Sequence, residues 1–259
     1  MILPLDRWKQ HAPLVIAHRG ASADAPENTL SAFRLAREQG ADGVEFDVKL
    51  SRDGEIVVHH DRTLDRTTTG KGPLSAYTLD ELEQLDAGSW FQTQYAGERI
   101  PTLKEVIEAV GAELLLNIEI TNYAHPGDEL PVKVVELVLQ HGIQDRVLLS
   151  SFNPIALRKV QQLSSAIPTG LLVMPQQPRM LRAWLRWRVL HDAYHPHLSM
   201  LEEHATRAAV PTLPVNVWTV NRPEDLRRCI RAGVSGMITD HPRKARELVD
   251  SVIATYHSH

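Results

Sequence analysis

Short apolar runs of strand length recur along the chain, and segments with helical periodicity lie between them. The apolar runs are 14–18, 43–50, 113–120, 146–151, 168–174, 192–198, 214–220 and 235–240. A strand followed by a helix, repeated, is typical of parallel strands joined by crossovers. Eight such strands in 259 residues predict an α/β protein with the (β/α)8 fold, a TIM barrel.

The clearest helical segments are 28–40, 102–111 and 222–233. Asn28 precedes the first of them and is predicted to be its N-cap, because its side chain can accept a hydrogen bond from the first turn. Each segment ends in a glycine, which we expect just beyond the last helical residue.

A ninth apolar run, 55–60, follows the short turn Ser51–Gly54, which contains Asp-Gly. A parallel pair needs a crossover of about a dozen residues or more, whereas a short Asp-Gly turn favours an antiparallel hairpin. We therefore predict a hairpin arm that extends the second barrel strand. The long gap before the strand at 113 predicts that 61–101 is a small insertion on the active-site rim of a single catalytic domain, 1–259.

Composition and charge narrow the class of protein. The net charge of −4 argues against a nucleic-acid binder, which usually carries a basic face. The single cysteine, Cys229, excludes a disulfide framework and favours a reducing compartment. The N-terminus lacks a long apolar segment behind a basic start, and no run approaches the roughly 20 apolar residues that span a bilayer. We expect a soluble, cytoplasmic protein without stable membrane insertion, and its oligomeric state is left open.

Carboxylates occur on otherwise apolar strands. The strand period of two puts Glu45 and Asp47 on one face, opposite apolar neighbours. By the same rule Glu119 and Thr121 share one face of their strand. Three acids facing one barrel mouth would repel one another and resist ionisation. A hard divalent cation, Mg²⁺ or Ca²⁺, removes that repulsion. The alternative is pairing with inward Arg or Lys, but we expect few such residues within reach and favour the metal.

Two histidines end neighbouring strands of this region. His18 closes the first strand and is followed by Arg19, and His60 closes the hairpin arm. A histidine at a strand end is often only structural, but two histidines near a metal suit paired general acid–base chemistry. The adjacent arginine indicates an anionic substrate, since a guanidinium matches phosphate in a bidentate way.

Four motifs, taken in this order and spacing, are specific enough to indicate a family: "HRG" at 18–20, "PENT" at 26–29, "GVEFDV" at 43–48 and "DGEIVVHHDRTLDRTT" at 53–68. Later segments, "NIEI", "VNVWTVN" and "GVSGMITDHP", agree with them. The chain resembles the glycerophosphodiester phosphodiesterase family over essentially its whole length. The resemblance implies a TIM barrel with a small insertion that hydrolyses glycerophosphodiesters, its small-molecule partners, to sn-glycerol 3-phosphate and an alcohol.

The resemblance also implies roles for individual residues and a route through a cyclic phosphate formed by the substrate's own 2-hydroxyl. The family pattern makes the acid–base pair His18 and His60, the metal ligands Glu45, Asp47 and Glu119, the phosphate ligand Arg19, and the residue packed against glycerol Trp218. One position departs from the pattern. Family members often carry a phosphate-binding lysine where this chain has Thr121, so Thr121→Lys is expected to strengthen substrate binding.

Two other functions stay open at this point: a lysophospholipase D-like or phospholipase C-like activity on longer-tailed lipids, and a barrel that binds phosphodiesters without turning them over. The Arg- and Trp-rich segment 180–190 is predicted to be an outer barrel helix, with a lipid-contacting role as the alternative. For His195 and His197 we favour a structural or supporting role, with a place in the lining of the site as the alternative.

Overall fold

The computed structural model describes residues 4–8, 13–178, 180, 191–202 and 213–256. Within these ranges the strands are β1 Leu14–His18, β2 Gly43–Leu50, β3 Ile56–Val58, β4 Leu115–Ile120, β5 Val147–Ser151, β6 Thr169–Val173, β7 Ala193–Pro196, β8 Asn216–Val217 and β9 Gly236–Thr239. All but β3 are parallel, in the order β7-β6-β5-β4-β2-β1-β9-β8. Bridges from Tyr194 to Val215 and from His197 to Trp218 join the two ends. The predicted (β/α)8 barrel is confirmed.

The run at 55–60 forms a hairpin arm, as predicted. Strand β3 is antiparallel to β2, with Val48 opposite Val58 and Leu50 opposite Ile56. The turn between them needs a left-handed residue, and Gly54 supplies it with φ +84°. The arm carries the chain from the end of β2 back toward the mouth of the barrel.

The described helices are α1 Leu30–Glu38, α2 Leu79–Glu83, α3 Leu103–Val110, α4 Leu130–Gln140, α5 Pro154–Leu163, α6 Pro223–Arg231 and α7 Pro242–Tyr256. The predicted N-cap of α1 is wrong. Thr29 is the cap, because its hydroxyl accepts the Ala32 amide, whereas Asn28 lies one residue earlier with φ +59°. Gly40 and Gly233 are left-handed beyond their helices as predicted, but Gly111 keeps a right-handed φ of −64° and ends α3 itself.

The core forms on both sides of the barrel wall. Outward-facing residues of β2 and β4 pack against the helices: Val44, Phe46, Val48, Leu116, Ile118 and Ile120. Inside the barrel, Leu14, Ile16 and Leu148 pack against Trp8, which comes from the short 3-10 turn Pro4–Trp8 and is fully buried. Apolar side chains therefore fill the barrel at the amino-terminal ends of its strands, and polar groups gather at the other end.

The segment 61–101 has its own small cluster, in which Leu64, Leu74 and Leu82 pack against Val57 of the hairpin. Its assignment as a rim insertion of one catalytic domain stays a prediction. The predicted helix at 180–190 lies, apart from Met180, outside the described residues. In the ranges that the structure covers, no helix is both long and apolar enough to cross a bilayer.

Candidate active site

Three carboxylates meet at the carboxyl end of the barrel. Glu45 and Asp47 come from β2 and Glu119 from β4, where Asp47 and Glu119 lie side by side in register. One oxygen of each carboxylate lies within 4.8 Å of the other two. Glu45 and Asp47 are almost completely buried. An all-oxygen donor set of this kind fits a hard divalent cation, so the three residues could hold a metal ion.

Their mutual repulsion is visible in their acidity. Burial and then the neighbouring charge of Asp47 raise the pKa of Glu45 well above its usual value and that of Glu119 to about 8. Burial is the largest influence on Asp47 too and would raise its pKa, but the charge of Arg19, together with His60, Lys49 and the Asn28 hydrogen bond, outweighs burial and lowers the pKa. The Arg19 Nε lies 3.6 Å from the Asp47 Oδ2. Pairing with a basic residue therefore occurs at Asp47, but it leaves Glu45 and Glu119 hard to ionise.

The loop after β1 positions Arg19 and contributes Glu27 and Asn28, which sequence reasoning did not assign to the site. Arg19 has φ +56°, and its Nη1 lies 2.8 Å from the Glu27 Oε1. The Asn28 Nδ2 donates to the Asp47 Oδ2 over 3.1 Å. Gly20 follows with φ +85°, and any Cβ there would lie 2.7 Å from the Ala32 carbonyl carbon in α1. The turn is thus packed tightly against the helix.

His18 is held at one ring nitrogen and faces the carboxylates with the other. Its Nδ1 lies 2.6 Å from the Asp240 Oδ1, and its Nε2 lies 3.9 Å from the Glu45 Oε2. Ser22 and Asn221 also donate to Asp240. Burial raises the pKa of Asp240, but the hydrogen bond with His18 and these other donors hold it at about 2. An ionised Asp240 accepts a hydrogen bond from the Nδ1–H group, which leaves Nε2 to take up or give a proton.

The second histidine is arranged similarly. The His60 Nδ1 lies 2.6 Å from the Asp61 Oδ1, and the ring lines the cavity above the carboxylates. Its neighbour His59 is buried, with Nε2 3.1 Å from the Thr63 carbonyl oxygen. The two adjacent side chains therefore have different surroundings, and His60 is the one in the cavity.

A lysine that sequence reasoning missed lies beside Thr121. The Lys49 Nζ donates to the Thr121 Oγ1 over 2.6 Å, and both residues line the cavity. The signal was present in the sequence, since the alternation that turns Glu45 and Asp47 inward also turns Lys49 inward. A positive charge therefore stands next to the position where the family pattern led us to expect one.

One cavity of about 960 Å³ collects these groups. Its lining contains all eight site residues predicted from the sequence: His18, Arg19, Glu45, Asp47, His60, Glu119, Thr121 and Trp218. One wall is aromatic. The Trp218 ring meets Phe152 edge to face with centroids 5.6 Å apart, and the Tyr123 hydroxyl donates to the Glu119 Oε1 over 2.5 Å. Two anchored imidazoles, an arginine and a lysine around three carboxylates suit proton transfer to and from an anionic substrate.

Comparisons with known proteins agree with this arrangement. The model of the glycerophosphoryl diester phosphodiesterase family matches residues 18–244. A glycerophosphodiester phosphodiesterase of Caldanaerobacter subterraneus subsp. tengcongensis is 44% identical over 244 residues, which is 91% of this chain and 97% of that protein. The structure of an Oleispira antarctica phosphodiesterase in complex with the product sn-glycerol-3-phosphate superposes with a TM-score of 0.84 at 37% identity, covering 92% of this chain and 97% of the other. A glycerophosphodiester phosphodiesterase from Thermotoga maritima has a TM-score of 0.75 at 29% identity, covering 92% and 99%.

Proposed function

Because the chain belongs to the glycerophosphoryl diester phosphodiesterase family and is an enzyme of that family, we propose that it hydrolyses glycerophosphodiesters to sn-glycerol 3-phosphate and an alcohol in a metal-dependent reaction. The observation that carries the proposal is the group of Glu45, Asp47 and Glu119, whose oxygens lie within 4.8 Å of one another. The sn-glycerol-3-phosphate bound to the Oleispira antarctica relative supports the identity of the product.

We assign the metal to these three carboxylates and expect Mg²⁺ or Ca²⁺, because both prefer oxygen ligands. When bound, such a cation neutralises charge on the phosphoryl oxygens of a substrate. Arg19 and Lys49, two of the basic residues that line this cavity, bind and orient the phosphate diester. Trp218 packs against the glycerol carbons, supported by the edge of Phe152.

The two histidines carry the protons. The 2-hydroxyl of the substrate attacks phosphorus, the Nε2 of one histidine takes the hydroxyl proton, and the other histidine protonates the leaving alkoxide as its bond to phosphorus breaks. Water then attacks the cyclic phosphate, gives up a proton to the second histidine, and the 2-oxygen leaves with a proton from the first. Asp240 and Asp61 hold the Nδ1 atoms of His18 and His60 at 2.6 Å, which keeps each Nε2 directed into the cavity.

The wider setting follows the same reasoning. We propose a single catalytic domain, 1–259, in which 61–101 is an insertion on the rim, since Asp61, Arg62, Pro73 and Leu74 line the cavity. The one cysteine, Cys229, is buried and free, which supports a reducing compartment, the cytoplasm. The partner is a small glycerophosphodiester. The apolar lining at Leu50, Leu130 and Met174 favours a lysophospholipid as the second candidate substrate.

The test compares glycerophosphocholine, glycerophosphoethanolamine and lysophosphatidylcholine as substrates, before and after exhaustive treatment with EDTA and again after addition of Mg²⁺ or Ca²⁺. We expect activity to disappear on chelation and return with the cation. Full activity after chelation would refute the metal assignment. A glycerophosphocholine analogue without the 2-hydroxyl tests the cyclic route, because hydrolysis of that analogue at the normal rate would contradict it.

A further inference from the structure

Arg66, in the segment after the hairpin, joins two carboxylates with one guanidinium. Its Nη1 and Nη2 lie 2.7 and 2.8 Å from the two Glu27 oxygens. Its Nε and Nη2 lie 2.7 and 3.1 Å from the two Asp61 oxygens. Both contacts are therefore fork-to-fork pairs, the geometry that gives arginine its directional preference for carboxylates.

Each of these carboxylates also touches a residue of the cavity. The Glu27 Oε1, which accepts from Arg66, accepts from the Arg19 Nη1 over 2.8 Å as well. The Asp61 Oδ1, which accepts from Arg66, also lies 2.6 Å from the His60 Nδ1. One unbroken chain of hydrogen bonds thus runs from the phosphate ligand Arg19 to the acid–base group His60, and Arg66 is its middle member.

The two ends of this hydrogen-bonded series, Arg19 and His60, belong to separate elements. Arg19 lies in the loop between β1 and α1, and His60 follows the hairpin arm β3, which is not part of the barrel. Backbone hydrogen bonds hold both segments on β2, from the Arg19 amide to the Glu45 carbonyl and from the His59 amide to the Asp47 carbonyl, but these bonds do not fix the two side chains relative to each other. We propose that Arg66 is a positioning residue, which sets the relative placement of Arg19 and His60 through Glu27 and Asp61 and does not touch the substrate. The proposal rests on the function proposed above for those two residues.

A positioning role differs from a general contribution to stability, and Arg99 provides the matched control. Arg99 lies in the same segment, is similarly exposed, and also lies near two carboxylates, Glu83 at 3.9 Å and Glu105 at 3.7 Å. Neither of its partners lines the cavity. The change in stability on loss of Arg99 therefore measures what an exposed bridging arginine contributes to the fold without any effect on the site.

The experiment measures kcat, KM and melting temperature for Arg66→Gln, Arg66→Lys and Arg99→Gln with glycerophosphocholine. Arg66→Gln is expected to lower kcat about 10- to 100-fold, the scale of a small misplacement of a reacting group. Arg66→Lys is expected to lose nearly as much, because one ammonium keeps the charge but cannot form both forks. Arg99→Gln should keep kcat within about twofold. Its melting temperature should change about as much as that of Arg66→Gln.

A coupled background tests whether Arg66 acts through its partners. In the double variant Glu27→Gln/Asp61→Asn, adding Arg66→Gln should change kcat by less than about twofold, since the connections are already broken. A further tenfold loss in that background, an unchanged kcat in the single variant, or full rescue by lysine would each overturn the proposal.

The ¹⁵N signals of the His60 imidazole separate this inference from the proposed function. We expect one fixed tautomer, protonated at Nδ1, in the natural protein, and a shifted or exchange-broadened signal in Arg66→Gln. If the protein hydrolyses no glycerophosphodiester, the proposed function fails, yet the histidine signals still report on the positioning. If activity is present and the signals of Arg66→Gln are unchanged, the positioning proposal alone is wrong.

Discussion

At the residue scale, His59 and His60 are neighbours in sequence with opposite surroundings. His60 lines the cavity beside Asp61, whereas His59 is buried against the Thr63 carbonyl, and burial lowers its pKa. A general acid or base contributes about 10²–10⁴-fold to a rate. We therefore expect His60→Ala to lower kcat by that factor, and His59→Ala to lower stability while kcat stays within a few fold.

Steady-state kinetics and thermal unfolding of the two single variants check this prediction. Asp61→Asn serves as a companion variant, since it removes the charge that holds the His60 Nδ1 but keeps its shape. A larger loss of kcat in His59→Ala than in His60→Ala would reverse the assignment of the acid–base pair.

The Lys49–Thr121 contact changes what is expected of Thr121→Lys. A lysine placed there would bring a second ammonium next to the Lys49 Nζ, which already lies 2.6 Å from the Thr121 Oγ1. We expect Lys49→Gln to raise KM about 10-fold, and Thr121→Lys alone to give no gain in affinity. The double variant Lys49→Gln/Thr121→Lys should recover most of the loss, because it restores one cation in the same place.

Substrate titrations of the three variants decide the matter. If Thr121→Lys by itself lowers KM, the two ammonium groups do not compete, and the positive charge of Lys49 does not replace the missing one. If Lys49→Gln leaves KM unchanged, the lysine plays no part in binding.

The sequence could predict the site residues that lie on strands, but not the contacts between loops. Alternation along a strand shows which side chains face the barrel interior. It therefore identified Glu45, Asp47 and Glu119, and the same rule could have identified Lys49. The roles of Glu27 and Arg66 depend on loop geometry that brings together residues 39 apart in sequence. No local period encodes that contact, so their connection could be found only in the structure.

At the scale of elements, the turn from β1 into α1 is a tightly packed junction that carries two site residues. Gly20 has φ +85°, and a Cβ there would lie within 2.8 Å of three Ala32 atoms, two of them backbone. We expect Gly20→Ala to lower both stability and kcat, because relief of this clash would move His18 and Arg19 away from the carboxylates.

Gly72 is the matched control for this turn. It has a similar φ of +79°, but no atom lies within 4 Å of a Cβ built there. Gly72→Ala should therefore show only the cost of a left-handed alanine, about 1–2 kcal/mol in the free energy of unfolding, with kcat unchanged. Chemical denaturation and kinetics of both variants test the contrast. Equal stability losses, with normal kcat in Gly20→Ala, would mean that the turn relaxes without disturbing the site.

The elements themselves were largely predictable, and their ends were less so. Apolar runs and glycines gave the parallel strands, and the Asp-Gly turn gave the hairpin, because each depends on local chemistry. Asn28 was mistaken for a cap because asparagine and threonine are both good N-caps and stand side by side. Tertiary contact decided between them, since the Asn28 amide is used by Asp47 and Thr29 is left to cap α1.

At the scale of the whole molecule, the carboxylates link stability to pH. The pKa of Glu119 is raised from 4.5 to about 8, and that of Glu45 is also raised, so the folded state binds protons that the unfolded state releases. Without metal, the stability contributed by Glu119 is full below its unfolded pKa and is lost as pH rises to about 8. Mg²⁺ or Ca²⁺ should therefore raise the melting temperature more at pH 8 than at pH 5.

Melting temperatures of the natural protein and Glu119→Gln, compared across this pH range without metal, isolate the effect. The comparison cancels the opposite contribution of His59, whose lowered pKa favours the folded state as pH rises through 6.5. We expect the natural protein to lose stability relative to the variant between pH 5 and pH 8. Parallel curves for the two proteins would show that the pKa of Glu119 is not raised in the folded protein.

Among the described residues, Trp8 and its apolar neighbours fill the amino-terminal end of the barrel, and the cavity lies at the other end. We therefore expect substrate to enter and both products to leave through this opening. If Arg19 and Lys49 bind the phosphate of the substrate as proposed, they also bind the phosphate-bearing product, which then blocks access of the next substrate to the carboxylates until it dissociates. We therefore expect the product to compete with the substrate, so that the rate of hydrolysis falls as sn-glycerol 3-phosphate accumulates.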